Sequence, residues 1–268
     1  MRAEIASRRN PKIQEIRKLG RREHRARVRR FFLEGTRSIE EAMDAGARIY
    51  ETLVTPHLFE YSRGRALCER LEAAGAEVVT VTDEVLASVS DTETPQGIVA
   101  VAAMPDNPLR LDGNPLVLLV DGLRDPGNLG TLVRTAAALG AAGVVLTRGT
   151  VDAYNPKCVR ATMGSVFRVP IREEMSTAEA ITFLKGHGLR VIAGDARAQV
   201  ACHDRDLSGP CAILVGGEAF GPSREALEMC DARVRIPMPG AAESLNAAVA
   251  GAILMYEAVR QRSAGRET

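Results

Sequence analysis

Apolar positions in this chain form two kinds of pattern. Some recur at helical spacing, as over 36–45 and 64–74, while others are short continuous runs, at 52–55, 77–81 and 98–102. Their alternation predicts a small α/β domain. Downstream the pattern strengthens, beginning with Leu116, Val117, Leu118, Leu119 and Val120. A helical pattern over 128–139 follows, then an apolar run at 144–146, a helix over 177–185, runs at 191–193, 212–215 and 234–236, and a closing helix over 244–261. Continuous apolar strands separated by helices predict a parallel sheet covered on both faces. Between the two regions Pro105, Asn107, Pro108, Asp112, Gly113, Asn114 and Pro115 crowd together and break both kinds of element. The predicted division is therefore a domain over 1–103, a linker over 104–115 and a larger domain over 116–268.

Composition narrows the class. With 268 residues, 46% apolar and 26% charged, the chain is neither intrinsically disordered nor a disulfide-dense miniprotein. Its longest charge-free stretches, 135–147 and 244–256, are too short and too interrupted to span a bilayer, so no membrane helix is expected. Five scattered cysteines, without a Cys-x-x-Cys pair, predict reduced thiols in the cytoplasm and no metal site. The N-terminus, with Arg2, Glu4, Arg8 and Arg9, lacks the apolar core of a signal peptide. Trp is absent and aromatics make up 4%, which argues against a face of stacked rings.

The net charge of +1 hides an asymmetry: residues 1–30 hold twelve Lys or Arg against three Glu, a net +9, and the remainder carries −8. Such a block collects phosphate contacts or forms a solvated tail.

Ligands of an open parallel sheet bind beyond the carboxyl ends of its strands. The loop after Val120 runs Asp121-Gly-Leu-Arg-Asp-Pro-Gly-Asn-Leu-Gly130, with Asn128 at an expected N-cap and Arg134 on the helix that follows. The loop after Val215 runs Gly216-Gly-Glu-Ala-Phe-Gly-Pro-Ser223, where glycines admit a close backbone approach and Glu218 adds a carboxylate. It is neither a Walker loop nor a dinucleotide fingerprint. A third segment, Ile236-Pro-Met-Pro-Gly-Ala-Ala-Glu-Ser-Leu-Asn246, enters the last helix, with Ser244 and Asn246 where caps are expected. Each loop alone reads as a capped connection; three polar loops from three strand ends predict a shared pocket.

In order and spacing these segments resemble the three motifs of the SpoU family of RNA ribose 2′-O-methyltransferases. The stretch Asn155-Pro-Lys-Cys-Val-Arg-Ala-Thr-Met-Gly164 resembles the family's sequence between its first two motifs. Phe32-Leu-Glu-Gly35 with Arg37, and Thr94-Pro-Gln-Gly97, resemble the substrate-binding domain that many members carry, itself similar to L30e-like ribosomal RNA-binding proteins. The chain departs from the pattern at Gly217, where Ser is usual, at Ala219, where Gly is usual, and at Ala247 and Ala248, where a Val-Ser pair is usual.

The resemblance implies a small N-terminal α/β RNA-binding domain and a C-terminal parallel-sheet domain tied in a deep trefoil knot. It implies S-adenosylmethionine as cofactor, held by Gly216, Gly221, Ile236, Met238 and Leu245. Arg134 is implied at the reacting ribose hydroxyl, with Asn128, Glu218, Ser244 and Asn246 orienting the groups around it. A homodimer is implied, and structured RNA as substrate, ribosomal RNA before transfer RNA, for housekeeping or for antibiotic resistance. The reading from another class is a non-catalytic RNA-binding protein, which predicts degraded motifs.

Overall fold

Asn10 caps the first helix, α1 (Pro11–Lys18), by accepting from the Lys12 N–H at 2.9 Å, and Pro11 opens it. A second short helix, α2 (Arg22–Val28), follows. Ile13, Ile16 and Leu19 are buried in one core with Phe32, Leu53, Val85 and Val99, so the basic stretch is built into a domain and is not a solvated tail. The computed structural model describes residues 4–92, 94–240 and 244–264.

The domain continues with β1 (Arg30–Glu34), α3 (Thr36–Asp44), β2 (Ile49–Val54), α4 (Ser62–Ala73), β3 (Glu77–Thr80), α5 (Asp83–Val89) and β4 (Ile98–Ala103). The sheet order is β1-β4-β2-β3, with β4 antiparallel to β1 and β2, and β3 parallel to β2.

The second sheet comprises β5 (Leu116–Asp121), β6 (Gly143–Thr147), β7 (Ile171–Met175), β8 (Arg190–Gly194), β9 (Cys211–Gly216) and β10 (Ala232–Val234). All pairings are parallel, in the order β10-β8-β9-β5-β6-β7. Its helices are α6 (Pro126–Ala138), α8 (Thr177–Gly186), α9 (Arg224–Met229) and α10 (Ala247–Ala264). Every residue of β5 and β9 is buried, as continuous apolar runs require in a sheet covered on both faces. β5 and β9 are neighbours in register, with Asp121 opposite Gly216, and β8 flanks β9. The loops leaving β5, β8 and β9 therefore start side by side.

Two compact units result, Met1–Pro105 with Tyr154–Phe167, and Asp106–Ala153 with Arg168–Thr268. Thus the excursion between β6 and β7, which carries α7 (Pro156–Thr162), belongs to the first unit. There the Tyr154 and Phe167 rings lie 5.0 and 5.5 Å from the ring of Phe31. Arg160 of α7 donates to the buried Glu34 carboxylate at 3.0 Å and to Asp91 at 2.9 Å. Among the described residues no helix is long and apolar enough to cross a membrane. All five cysteines are free thiols.

Candidate active site

Pro126, not Asn128, opens α6, because Asp125 is the residue with extended backbone and a side chain that accepts from the Asn128 N–H at 2.8 Å. The expected N-cap thus shifts by three residues, and the Asn128 side chain is released from capping. It bridges instead. Its Nδ2 donates to Glu218 Oε1 at 3.1 Å, and its Oδ1 accepts from Asn246 Nδ2 at 2.9 Å. Glu218 also accepts from the Asp125 and Arg124 N–H groups, at 3.1 and 3.4 Å. Burial opposes ionisation of Glu218, but hydrogen bonds from its own backbone, Asn128, Asp125 and Arg124 outweigh it and hold the carboxyl below its ordinary range. One carboxylate and two amides thereby join the loops after β5 and β9 to the start of α10.

Asn246 does cap α10, accepting from the Ala248 and Val249 N–H groups at 2.9 and 3.3 Å. Ser244 does not: it is exposed and has no hydrogen-bond partner among the described residues, and the helix starts at Ala247, three residues later than its apolar pattern suggests. One Asx cap suffices for the orphan N–H groups that a second cap at Ser244 would serve. Glu243 of the third segment lies outside the described residues.

The loops after β8 and β9, with the segment entering α10, line a cavity of about 1320 Å³, to which the loop after β5 contributes no lining residue. Gly216, Gly221, Ile236, Met238 and Leu245, the five residues expected to hold a cofactor, all line it, with Glu218, Ser244 and Asn246. The cradle is tight. A Cβ on Gly216 would lie 1.9 Å from the Gly221 carbonyl carbon, and one on Gly217 would lie 2.9 Å from the Gly122 oxygen. The latter approach gives a physical reason for glycine at 217. Gly221, at φ +70°, turns the chain back, and its N–H donates to the Gly217 oxygen at 2.9 Å.

Arg134 and Asn128 are not among the lining residues. Arg134 is exposed on α6, one turn beyond Thr131, and has no hydrogen-bond or ion-pair partner among the described residues. Its guanidinium is therefore available to a ligand at the surface.

Two contributions were not read from sequence. Asp121, buried at the end of β5, accepts from the hydroxyls of Thr147 and Thr177 at 3.0 and 2.8 Å and from the Ser223 N–H at 2.8 Å. It fixes the far end of the second-motif loop. A carboxylate closing an apolar strand must find such donors, and that was the available signal. The loop after β8, from Asp195 to Gln199, also lines the cavity, with Asp195 Oδ1 accepting from the Arg197 N–H at 2.9 Å. Its sequence carries no motif.

Residues 115–256 match the model of the SpoU rRNA methylase family, and residues 10–100 match that of an MRM3-like substrate-binding domain. The 23S rRNA (guanosine(2553)-2′-O)-methyltransferase RlmP of Bacillus subtilis is 35% identical over 253 residues, covering 94% of this chain and 98% of that protein. The crystal structure of the SpoU methyltransferase AviRb from Streptomyces viridochromogenes in complex with AdoMet superposes with a TM-score of 0.87 at 31% identity, over 95% of this chain and 99% of that one. The AdoMet-bound rRNA methyltransferase from Sinorhizobium meliloti gives 0.84 at 33% identity, over 96% and 97%.

Proposed function

Because the chain belongs to the SpoU rRNA methylase family, we propose that it methylates the 2′-hydroxyl of a ribose in ribosomal RNA, with S-adenosylmethionine as methyl donor. The observation that carries this reading is the Asn128–Glu218–Asn246 junction, which ties the first motif to the second and third, the two that line the cavity. The presence of Asn128, Arg134, Glu218, Ser244 and Asn246 together also speaks against the non-catalytic RNA-binding alternative.

The cavity fits the cofactor by its own chemistry. Ile236, Met238 and Leu245 offer an apolar wall for an adenine ring, and the Gly216–Gly221 cradle, which a Cβ would fill, leaves backbone groups within reach of polar atoms. Bound there, S-adenosylmethionine supplies an electrophilic methyl group on a sulfonium. Arg134 is the residue assigned to the ribose. A guanidinium stays protonated and makes a poor base, but its five N–H donors can grip a phosphate and stabilise the alkoxide that develops as the hydroxyl loses its proton. Glu218, Asn128 and Asn246 position the helix that carries it, and Ser244 faces the same cavity. The trefoil threading of the family belongs to this reading, as does the division of labour between residues 1–103, for RNA, and 116–268, for catalysis.

RNA engagement is supported by the exposed side chains of Arg8, Arg9, Arg17, Arg21 and Arg29, which lack partners among the described residues. Because Ile13 and Ile16 are buried, the proper test replaces Arg17 and Arg21 with Gln instead of deleting the segment. The salt slope of RNA binding should fall by about one per lost phosphate contact; an unchanged slope would remove these residues from the interface. A homodimer is supported by Val249, Ile253 and Tyr256, which are 47%, 37% and 60% exposed at helical spacing along α10. Ile253→Asp should convert a dimer to a monomer in sedimentation velocity, and a wild-type chain that sediments as a monomer would exclude the dimer. The cytoplasm, where thiols stay reduced, is the proposed compartment.

The decisive assay incubates the protein with methyl-tritiated S-adenosylmethionine and separate transcripts of 23S, 16S and transfer RNA. Label is expected in ribosomal RNA, in a dinucleotide that resists alkali because its 2′-oxygen can no longer attack the adjoining phosphodiester. Label in transfer RNA alone would redirect the substrate, and label in none would overturn the reading.

A further inference from the structure

Phe220 is 97% exposed, the most exposed of the large apolar side chains described and the one exposed phenylalanine among six. It is also a lining residue of the cofactor cavity. Its loop is fixed on both sides. Gly217 and Gly221 close a turn around it, Glu218 two residues earlier is held by Arg124, Asp125 and Asn128, and the Ser223 N–H three residues later donates to the buried Asp121. Tight packing of Gly216 on Gly221 and Pro222 keeps the turn from folding inward. A phenyl ring is thus held out into water, at the cavity, by a frame that contributes nothing to burying it.

Resting on the proposed RNA methyltransferase activity, we propose that Phe220 is the platform on which the base of the target nucleotide stacks. A ribose hydroxyl inside structured RNA reaches a cavity of this kind only if its nucleotide leaves the stack of its neighbours. An aromatic ring beside the cofactor replaces the stacking that is lost, and it accepts any base because every base presents a π face. The loop of Phe220 is tied through Glu218 and Asn128 to the first turn of α6, the helix that carries Arg134. Base platform and ribose clamp therefore share one frame. This single ring does not amount to a stacked aromatic face, which the composition already argues against.

The test compares Phe220→Ala, Phe220→Leu and Phe220→Trp with wild type in three measurements. These are calorimetric affinity for S-adenosylmethionine, kcat/KM for methyl transfer to a 23S rRNA transcript, and quenching of a short single-stranded RNA that carries one 2-aminopurine. The Ala and Leu variants should lose about ten- to one-hundredfold in kcat/KM for RNA and most of the quenching. Trp should stay within about threefold of wild type, and cofactor affinity should fall far less than kcat/KM for RNA in the Ala and Leu variants. A Leu variant equal to wild type would overturn stacking in favour of plain apolar contact. Loss of cofactor affinity with RNA binding intact would make Phe220 a lid over the sulfonium. A changed sedimentation coefficient would assign the ring to a second copy of the chain, and each of these outcomes refutes the proposal. Wild-type protein that transfers no methyl group to any RNA refutes the proposed function itself; active wild type with unaffected variants refutes this inference alone.

Discussion

A methyl group added at Gly216 would stand 1.9 Å from the Gly221 carbonyl carbon, 1.9 Å from the Pro222 nitrogen and 2.2 Å from the Gly221 oxygen. Non-bonded heavy atoms settle at about 3.5–4.0 Å, so in Gly216→Ala the end of β9 and the returning turn must part by roughly 1.5–2 Å. All three obstructing atoms are backbone, which no rotamer change can clear. Forcing them apart costs about 1–3 kcal/mol as overpacking. The displacement also stretches the 3.1 and 3.4 Å bonds that Glu218 accepts from Asp125 and Arg124 beyond useful length. Each such bond is worth about 1 kcal/mol at this exposed position, so the total loss is about 3–5 kcal/mol. Urea denaturation should reveal it as a lowered midpoint. Because the same backbone shapes the cofactor cavity, a shift of this size should weaken S-adenosylmethionine binding about one hundredfold in a calorimetric titration. Gly186→Ala is the internal control. At Gly186, outside the cavity lining, a Cβ would meet nothing within 4 Å, and the cofactor affinity of that variant should stay within a few-fold of wild type. A Gly216→Ala protein with wild-type midpoint and affinity would refute the idea that this contact sets the shape of the cavity.

Arg134→Lys should abolish methyl transfer, by at least about 10²-fold, while cofactor affinity and urea midpoint stay unchanged; retained turnover would remove the residue from the reaction. Glu218→Gln is expected to be less stable than wild type at neutral pH. Since the Glu218 carboxyl lies below its ordinary range in the folded state, its stabilisation is present above the unfolded carboxylate range and is lost as pH falls through the folded value. The two melting curves should therefore converge on acidification, and parallel curves down to low pH would contradict the assignment. Arg160→Ala leaves the buried Glu34 carboxylate, among the described residues, with the Asp91 N–H at 2.6 Å alone and should destabilise the first unit by about 3 kcal/mol, read as a shifted unfolding transition.

Much of the second unit was legible because its strands are buried on both faces. Continuous runs such as Leu116–Asp121 and Cys211–Gly216 have no polar alternation to blur them. β7 was missed for the converse reason: at the sheet edge, Ile-Arg-Glu-Glu-Met alternates between half-buried and exposed positions and carries three charges. β10 lies two residues earlier than its apolar run predicts, because Arg235 and Ile236 already belong to the segment leading to the cavity. In α1 the apolar spacing of Ile13 and Ile16 was masked by the density of charge. Site residues were legible where a motif fixes both a backbone turn and a side chain, as at Gly216, Gly221 and Glu218. Capping was not, because Asp125 and Asn128 are equally good caps on paper and only Pro126 decides between them.

The excursion that supplies Tyr154 and Phe167 to the first unit has a consequence for the timing of synthesis. Phe31, wholly buried in the finished protein, has its ring neighbours encoded more than a hundred residues downstream. When the ribosome has made Pro105, the N-terminal unit still lacks the segment that ends at Phe167. At about 5–20 residues per second the intervening chain takes roughly 3–12 s to appear. Over that interval the nascent domain carries an uncovered aromatic core and a Glu34 without its Arg160 partner, a state for which a chaperone has time to compete.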